Sequence, residues 1–372
     1  MTESTKHHYV PRWYQRRFLP EGETRFYYLN RRPYRTINGR RIPMREVERW
    51  GPAKCFQEAN LYSVNVPGFP KDQFEKVFFG AYDHNGAIAV DEVATAGHRV
   101  AISHDGYQHF FAYLSVQALR TPKGMAWLTA HLGTRLDKRE LLEQVSRLRY
   151  IRTVMWVESF QEVLYTESDD IGFLISDHPV TSYNKACYAE SAECRFPNDP
   201  DAAWKGTQTI FPLDAKRCFV LTHTEYAHNQ DMRTQLRRPR TNARLFGNTI
   251  AKTHQIMHRQ VSDAEVARIN QILKLRARRY VAAPFEHWLY PEKACRRVQW
   301  PDLGEPLVPK TELWRNTGGV YMGLQGGGVF MQDPYGRSPR TPAEQRQVEV
   351  EVEAMHAQLQ KALKNHKNTP DR

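Results

Sequence analysis

The spacing of the hydrophobic residues changes near residue 153, and this change limits the folds open to the chain. Before it, apolar residues recur at helical spacing; within residues 137–152, Leu142, Val145 and Leu148 share one face. Between residues 153 and 222 the apolar segments are short and rich in β-branched and aromatic residues, which predicts strands. Segregated helices and strands predict an α+β fold, with helices flanking a central, mainly antiparallel sheet.

The remaining elements follow from local patterns. Strands are predicted at 25–30, 61–66, 153–165, 172–176 and 207–222, with a turn at Asn38-Gly39, and helices at 74–96, 109–120, 137–152, 241–258, 263–280 and 343–364. Ser262 is the predicted N-cap of the helix at 263–280. Residues 291–342 are rich in proline and glycine, which predicts an irregular arm. We therefore predict one α+β domain at 1–290 and an arm at 291–372 that ends in a helix.

The composition narrows the class of protein. Hydrophobic residues make up 41% of the chain, as in folded globular proteins. No run approaches the roughly 18 apolar residues of a membrane span, and the first residues lack the apolar segment of a secretory signal. The five cysteines form no Cys-x-x-Cys pair, so a zinc site is not predicted. We expect a cytoplasmic protein that makes no contact with a membrane.

The charge is unevenly distributed. The formal net charge is +12, and residues 1–50 hold twelve Lys or Arg against five Asp or Glu. Residues 214–259 hold nine against three, whereas residues 158–201 hold two against ten. A basic face of this kind suits a polyanionic partner such as nucleic acid. The alternative interpretation is charge that serves only to solvate the surface.

The segment from Lys6 to Phe18 is the most distinctive part of the chain. Two adjacent histidines precede Pro11, and Arg12 and Arg16 follow it. Imidazole can move protons and guanidinium can hold an anion, so the segment suits a catalytic or binding site. In the alternative interpretation, the aromatic residues of this segment are core residues of a short helix.

Several motifs, in order, resemble those of a bacterial family known as domain of unknown function 4238. They comprise His8, Val10, Pro11, Tyr14 and Phe18; residues 58–62 (EANLY); Gln117, Arg120 and Pro122; residues 176–179 (SDHP), where asparagine is common in place of His178; residues 211–213 (FPL); and Asn248. The resemblance spans roughly residues 6–262. It implies one domain and kinship with that family, but no reaction.

The polar residues of these motifs form a candidate site. Burying such groups costs free energy unless each is hydrogen-bonded, so their presence suggests chemistry rather than packing. We predict His8 as general acid or base, Asp177 as the group that orients it, and Arg120 as the clamp on a phosphate. The predicted substrate-binding residues are Gln117, Ser176, Asn248, Arg12 and Arg16. For Asp177, a turn ahead of Pro179 is the alternative role.

A metal site is a weaker interpretation. His7, His8, Asp177 and His178 offer suitable ligand atoms, but the usual spacings of metal-binding motifs are absent. A divalent ion is therefore not favoured, and no residue is assigned to one.

Three functions remain open at this stage. The first is an enzyme that cleaves phosphodiester bonds, with RNA favoured over DNA, acting as a toxin or a phage-defence effector. The second is a non-catalytic sensor of nucleic acid or of a phage component. The third is a hydrolase or transferase for a small anionic ligand such as a nucleotide. A protein partner encoded in the same operon is compatible with each.

Overall fold

The structure is a computed structural model. It describes residues 5–65, 70, 72–97, 102–133, 136–150, 152–157, 159–228, 230, 235–240 and 256–310, with 320–323, 329–332, 341–343, 345, 346, 350 and 357. The described residues belong to two compact units. Those up to residue 310 lie in the first unit, and those from 320 onward lie in the second.

The helices of the first unit are concentrated between residues 74 and 157. They are α1 (Arg12–Arg16), α2 (Gly80–Thr95), α3 (His104–Arg120), α4 (Pro122–Leu132), α5 (Lys138–Leu148), α6 (Thr153–Val157), α7 (Thr224–His228), α8 (Asp263–Arg276) and α9 (Trp300–Leu303). A π-helical turn at Phe74–Phe79 leads into α2, and short 3₁₀ turns occur at Ala192–Cys194, Glu286–Leu289, Pro291–Lys293 and Glu305–Leu307.

The strands of the described residues form two main sheets and three ribbons. They are β1 (Lys6–His8), β2 (Phe26–Asn30), β3 (Tyr34–Ile37), β4 (Arg40–Pro43), β5 (Val47–Trp50), β6 (Gln57–Ala59), β7 (Ser159–Tyr165), β8 (Ile175–Ser176), β9 (Thr181–Tyr183), β10 (Gln208–Pro212), β11 (Arg217–His223), β12 (Met257–Gln260), β13 (Tyr280–Ala283), β14 (Val320–Gly323) and β15 (Val329–Gln332). One sheet has the order β12-β7-β11-β10-β9 and the other β5-β2-β13-β8. The ribbons are β1–β6, β3–β4 and, in the second unit, β14–β15. All these pairs are antiparallel except β12–β7.

The predicted α+β class is confirmed, with the strands divided between two sheets instead of one. The strand predicted at 172–176 is reduced to β8, which pairs with β13 rather than with the strands around it in sequence. Its neighbour Asp177 explains the pairing, because the backbone N–H of Asp177 donates to the carbonyl of Tyr280 at 2.9 Å.

Side-chain caps place the helices as their sequences predict. Asp137 and Ser262 each form a capping box at the start of α5 and α8. Thr121 ends α3 and caps α4, since the following proline excludes it from helical geometry. Every residue from Phe110 to Arg120 is buried. Helix α3 is therefore the central helix of the core, and the polar side chains near its end must find partners inside the protein.

Several predicted elements differ from the structure. The helix predicted at 263–280 ends at Arg276, and Tyr280 begins β13. The strand at 61–66 is not formed by its described residues, because Asn60 has a positive φ of 56° and turns the chain. Residues 153–157 are helical, and the burial of Trp156 outweighs their strand propensity. The helix at 241–258 is wrong for Met257 and His258, which lie in β12; residues 241–255 are outside the described part. The terminal helix at 343–364 is also largely outside it.

The domain boundary at residue 290 stays a prediction. Residues 291–310 contribute Trp300, Leu303 and Leu307 to the hydrophobic cluster around α8. In the part of the chain that the structure describes, no helix is both long and apolar enough to cross a membrane.

Candidate functional cleft

His8, the predicted acid or base, ends strand β1 and is half-buried. Burial and the nearby Arg12 lower the pKa of the imidazole, so the ring is neutral near pH 7. Its Nε2 atom has no hydrogen-bond partner among the described residues. Arg12 and Arg16 on α1 are both exposed.

Arg120 is held by the fold. Its Nε donates to Gln117 at 2.6 Å, and its Nη2 donates to Asp83 on α2 at 2.7 Å. Burial opposes the charge on Arg120, but Asp83 outweighs it and raises the pKa of the guanidinium. Gln117 in turn donates to the carbonyl of Tyr9 at 2.9 Å. These contacts fasten the N-terminal segment to α3.

Asp177 binds backbone atoms. Its carboxylate accepts hydrogen bonds from the N–H groups of Arg278, Arg279 and Tyr280 at 2.7–2.9 Å. The hydroxyl of Ser176 accepts from the N–H of His178 at 3.2 Å. Asp177 therefore acts as an anchor for the start of β13.

The structure gives each of the three predicted catalytic residues its own surroundings. Among the described residues, no hydrogen bond or ion pair joins His8, Arg120 and Asp177. The catalytic roles predicted for them stay predictions, and Asn248 lies outside the described part.

The other motifs interlock through hydrogen bonds. The hydroxyl of Tyr14 donates to the carbonyl of Pro212, and that of Tyr62 donates to the carbonyl of Arg120 at 2.7 Å. Each bond joins segments far apart in sequence. The motifs thus define a framework that holds the N-terminal segment, α3 and β10 together.

A cleft of about 400 Å³ opens beside this framework. Its walls are the end of α3, the helix α4, Arg152, His178 and the loop at 193–204. Pockets of this volume are typical of small-molecule and nucleotide sites. The side chains that carry polar chemistry here are Lys123, His131, Arg152, His178, Asp199 and Asp201, with the indoles of Trp127 and Trp204.

Asp199 organises one side of the cleft. It accepts from Lys123 Nζ at 2.7 Å and from Arg276 Nε at 3.0 Å, both at Oδ1, while Oδ2 lies 3.1 Å from His178 Nε2. Burial opposes ionisation of this carboxyl, but Lys123 and Arg276 outweigh it and hold the pKa of Asp199 well below its usual range. These two cations keep Asp199 ionised, and the lining of the cleft also includes the carboxylates Glu193 and Asp201.

The imidazole of His178 is fully engaged. Burial lowers its pKa in spite of the bond to Asp199, so the ring is neutral. Nε2–H then donates to Asp199, and Nδ1 accepts from the hydroxyl of Thr121 at 2.8 Å. Because both nitrogens are occupied, His178 is a positioning residue for Asp199.

Arg152, Trp127 and His131 form the other side. Arg152 as a residue is half-buried, and its guanidinium lies 5.9 Å from the centroid of the Trp127 ring and forms no hydrogen bond or ion pair with a described residue. Burial lowers its pKa, with Asp199 and Asp201 opposing. His131 stacks on the same indole, with ring centroids 4.4 Å apart. Its Nδ1 bonds to the carbonyl of Trp127 at 2.9 Å, which leaves Nε2 as the proton acceptor.

The described residues contain no group of three or more His, Cys, Asp or Glu side chains that could hold a metal ion. His7 accepts a hydrogen bond from the backbone of Tyr62, and His178 binds Thr121 and Asp199, so these two histidines are used within the fold.

Comparison with known protein families shows which family the chain belongs to. The family model described as "Protein of unknown function (DUF4238)" matches residues 6–150 and 127–284. The chain belongs to this family. DUF4238 thus covers the framework, the cleft and β13, and the match extends beyond the 6–262 of the resemblance. No curated protein and no solved structure shows significant similarity to the chain.

Sequence reasoning missed Trp127, His131, Arg152 and Asp199. A usable signal was present in α4, where Trp127 and His131 are four residues apart on a helix that begins directly after a motif. No sequence pattern links Arg152 or Asp199 to α4, because only the tertiary fold brings these residues to that helix.

Proposed function

We propose that this protein binds RNA and cleaves its phosphodiester bonds, and that the cleft beside α4 is the active site. The observation that carries the proposal is the placement of Arg152 and His131 around one indole. A cation with no ion pair to a described residue and an imidazole whose Nε2 can accept a proton lie on the same wall. Anion binding and proton transfer are the two needs of phosphodiester cleavage without a metal.

Each side chain has a distinct role in this proposal. Arg152 and Lys123 attract the phosphate and stabilise the charge that develops on it. His131 takes the proton of the ribose 2′-hydroxyl as that oxygen attacks the phosphorus, and the departing 5′-oxygen takes a proton from solvent. The indole of Trp204, which also lines the cleft, is the ring on which a base packs, as in proteins that bind single strands.

The choice of RNA has a direct test. A labelled RNA is incubated with the protein, in parallel with the same sequence carrying one 2′-deoxynucleotide at the cleaved position. Cleavage of the RNA to a 2′,3′-cyclic phosphate, and none of the substituted strand, is the expected result. Equal cleavage of both strands contradicts a 2′-hydroxyl nucleophile.

A second candidate, a sensor that binds nucleic acid without cleaving it, is favoured by the state of the motif residues. Arg120, Asp177 and His178 are all engaged in the framework, as in a protein built to recognise rather than to react. Binding without any cleavage under the conditions above supports the sensor. A role as toxin or phage-defence effector is a further part of the proposal, and growth arrest on expression tests it.

A further inference from the structure

The ribbon formed by β3 and β4 is the most one-sided charge cluster of the described chain. Residues 31–45 contain six arginines and no acidic residue. The strands are joined by Asn38 and Gly39, which have φ of 48° and 77°. A type I′ turn requires positive φ at both of its central residues. The backbone twist of this turn matches the right-handed twist of the two strands that it joins. We call residues 32–45 the arginine hairpin.

The arginine hairpin projects from the four-stranded sheet and is exposed. All four residues of β4 and three of the four in β3 are exposed. An isolated two-stranded ribbon is only marginally stable in water. Here its base is fixed by Arg279, whose Nη2 donates to the carbonyl of Tyr34 at 2.8 Å and whose Nε donates to Asn30 at 3.0 Å.

One face of the hairpin alternates arginine and isoleucine. Arg35 pairs with Ile42, and Ile37 pairs with Arg40, so these four side chains share a face. Neither arginine forms an ion pair with a described residue, and the isoleucines are 41% and 37% exposed. Two unpaired guanidinium groups beside exposed aliphatic surface indicate a binding face.

The opposite face carries a planar stack. Arg41 pairs with Thr36 across the ribbon, and its guanidinium lies 4.7 Å from the centre of the Tyr34 ring. Guanidinium planes and aromatic rings are the surfaces on which unstacked RNA bases lie. A free phosphate has no ring that could stack on this surface, and neither do the carboxylates of an acidic protein.

We infer that the arginine hairpin is a docking surface for single-stranded RNA. Arg35 and Arg40 bind successive phosphates, and bases pack on the Arg41–Tyr34 stack and on the isoleucines. The choice of RNA as the polyanion rests on the proposed function; the presence of a binding face rests on the hairpin itself. No residue of the cleft takes part in this surface.

The experiment measures binding of the full chain to a fluorescent 2′-O-methyl RNA of about 20 nucleotides, which a 2′-hydroxyl-dependent reaction cannot cut. The test variant is Arg35→Gln/Arg40→Gln. The matched control is Arg296→Gln/Arg297→Gln, which removes the same charge from another exposed site of the first unit. Affinity is measured across a series of salt concentrations, and a thermal melt checks the fold of each variant.

Loss of two phosphate contacts lowers the slope of log affinity against log salt by about 1.4 and weakens binding on the order of tenfold at 0.1 M salt. The control keeps the wild-type slope. Equal behaviour of both variants overturns the inference and leaves the hairpin as solvated surface. Binding to poly-L-glutamate is measured for the same variants. If Arg35→Gln/Arg40→Gln binds RNA like the wild type but no longer binds poly-L-glutamate, the inference is overturned and an acidic protein is the partner.

The result separates the two proposals. Hairpin-dependent binding without cleavage of ordinary RNA supports the docking surface and contradicts the nuclease. Cleavage of ordinary RNA together with RNA binding that does not depend on the hairpin supports the nuclease and contradicts the docking surface.

Discussion

His178 and Asp199 are joined by a hydrogen bond of 3.1 Å between Nε2 and Oδ2 at the edge of the cleft. The histidine lies in a framework motif and the aspartate in the loop that closes the cleft. Through this bond the framework fixes a carboxylate, and the carboxylate fixes Lys123 and Arg276. The framework residue His178 thus fixes the position of the Asp199 carboxylate in the wall of the cleft.

The neutral state of His178 predicts acid sensitivity. Its pKa is lowered in the folded protein, so the unfolded chain takes up the proton first and stability falls as the pH drops below about 6.5. His178→Asn keeps a donor and an acceptor without the titration. Urea unfolding between pH 5 and 7.5 should show a flatter dependence for the variant. The same loss of stability in both proteins contradicts a neutral His178.

Glu75 predicts the opposite dependence. Burial raises its pKa to about 7, so the folded state holds the proton after the unfolded chain, at about 4.5, has lost it. Stability should therefore decline as the pH rises through the interval from about 4.5 to 7. Glu75→Gln removes this decline. Comparison of the two unfolding free energies at pH 5 and pH 8 checks it, and a difference that does not change with pH contradicts it.

Asp177 should be a residue of stability. Asp177→Ala leaves three partly buried N–H groups without their carboxylate acceptor, which costs about 3 kcal/mol. Asp169→Ala, a change at a fully exposed carboxylate, is the matched control and should leave the free energy of unfolding close to that of the wild type. Chemical denaturation measures both. A stable Asp177→Ala protein without activity would restore the catalytic role predicted from the sequence.

Gly124 allows α3 and α4 to meet closely. A Cβ atom there lies 2.2 Å from the carbonyl oxygen of Ala118 and 2.5 Å from that of Leu119. Gly124→Ala must push α4 away and is expected to cost on the order of 1–3 kcal/mol. Gly133→Ala, with no atom near its Cβ but a φ of 101°, separates steric crowding from backbone strain. A melting temperature unchanged from the wild type contradicts the close approach.

The α+β class could be predicted because periodicity is local: the pattern that builds α5 and its capping box is complete within residues 137–148. The pairing of the strands could not be predicted, because β8 pairs with β13, which lies about a hundred residues further along the chain. The same limit governs the site. Motif residues such as Asp177 are visible in sequence, but the roles of Arg152 and Asp199 exist only once α4 and the loop at 193–204 have met.

The wall of the cleft is tested most directly by single-turnover cleavage of a labelled RNA. His131→Asn and Arg152→Gln are compared with His84→Asn and Arg147→Gln, which change exposed residues of α2 and α5 in the same way. Loss of general acid–base or anion-stabilising groups typically slows such reactions about 10²-fold or more. The prediction is a loss of that size for the cleft variants, with wild-type melting temperatures, and wild-type rates for the controls. Cleavage that is unchanged in His131→Asn and Arg152→Gln, or absent from the wild-type protein, contradicts an RNA-cleaving site in this cleft.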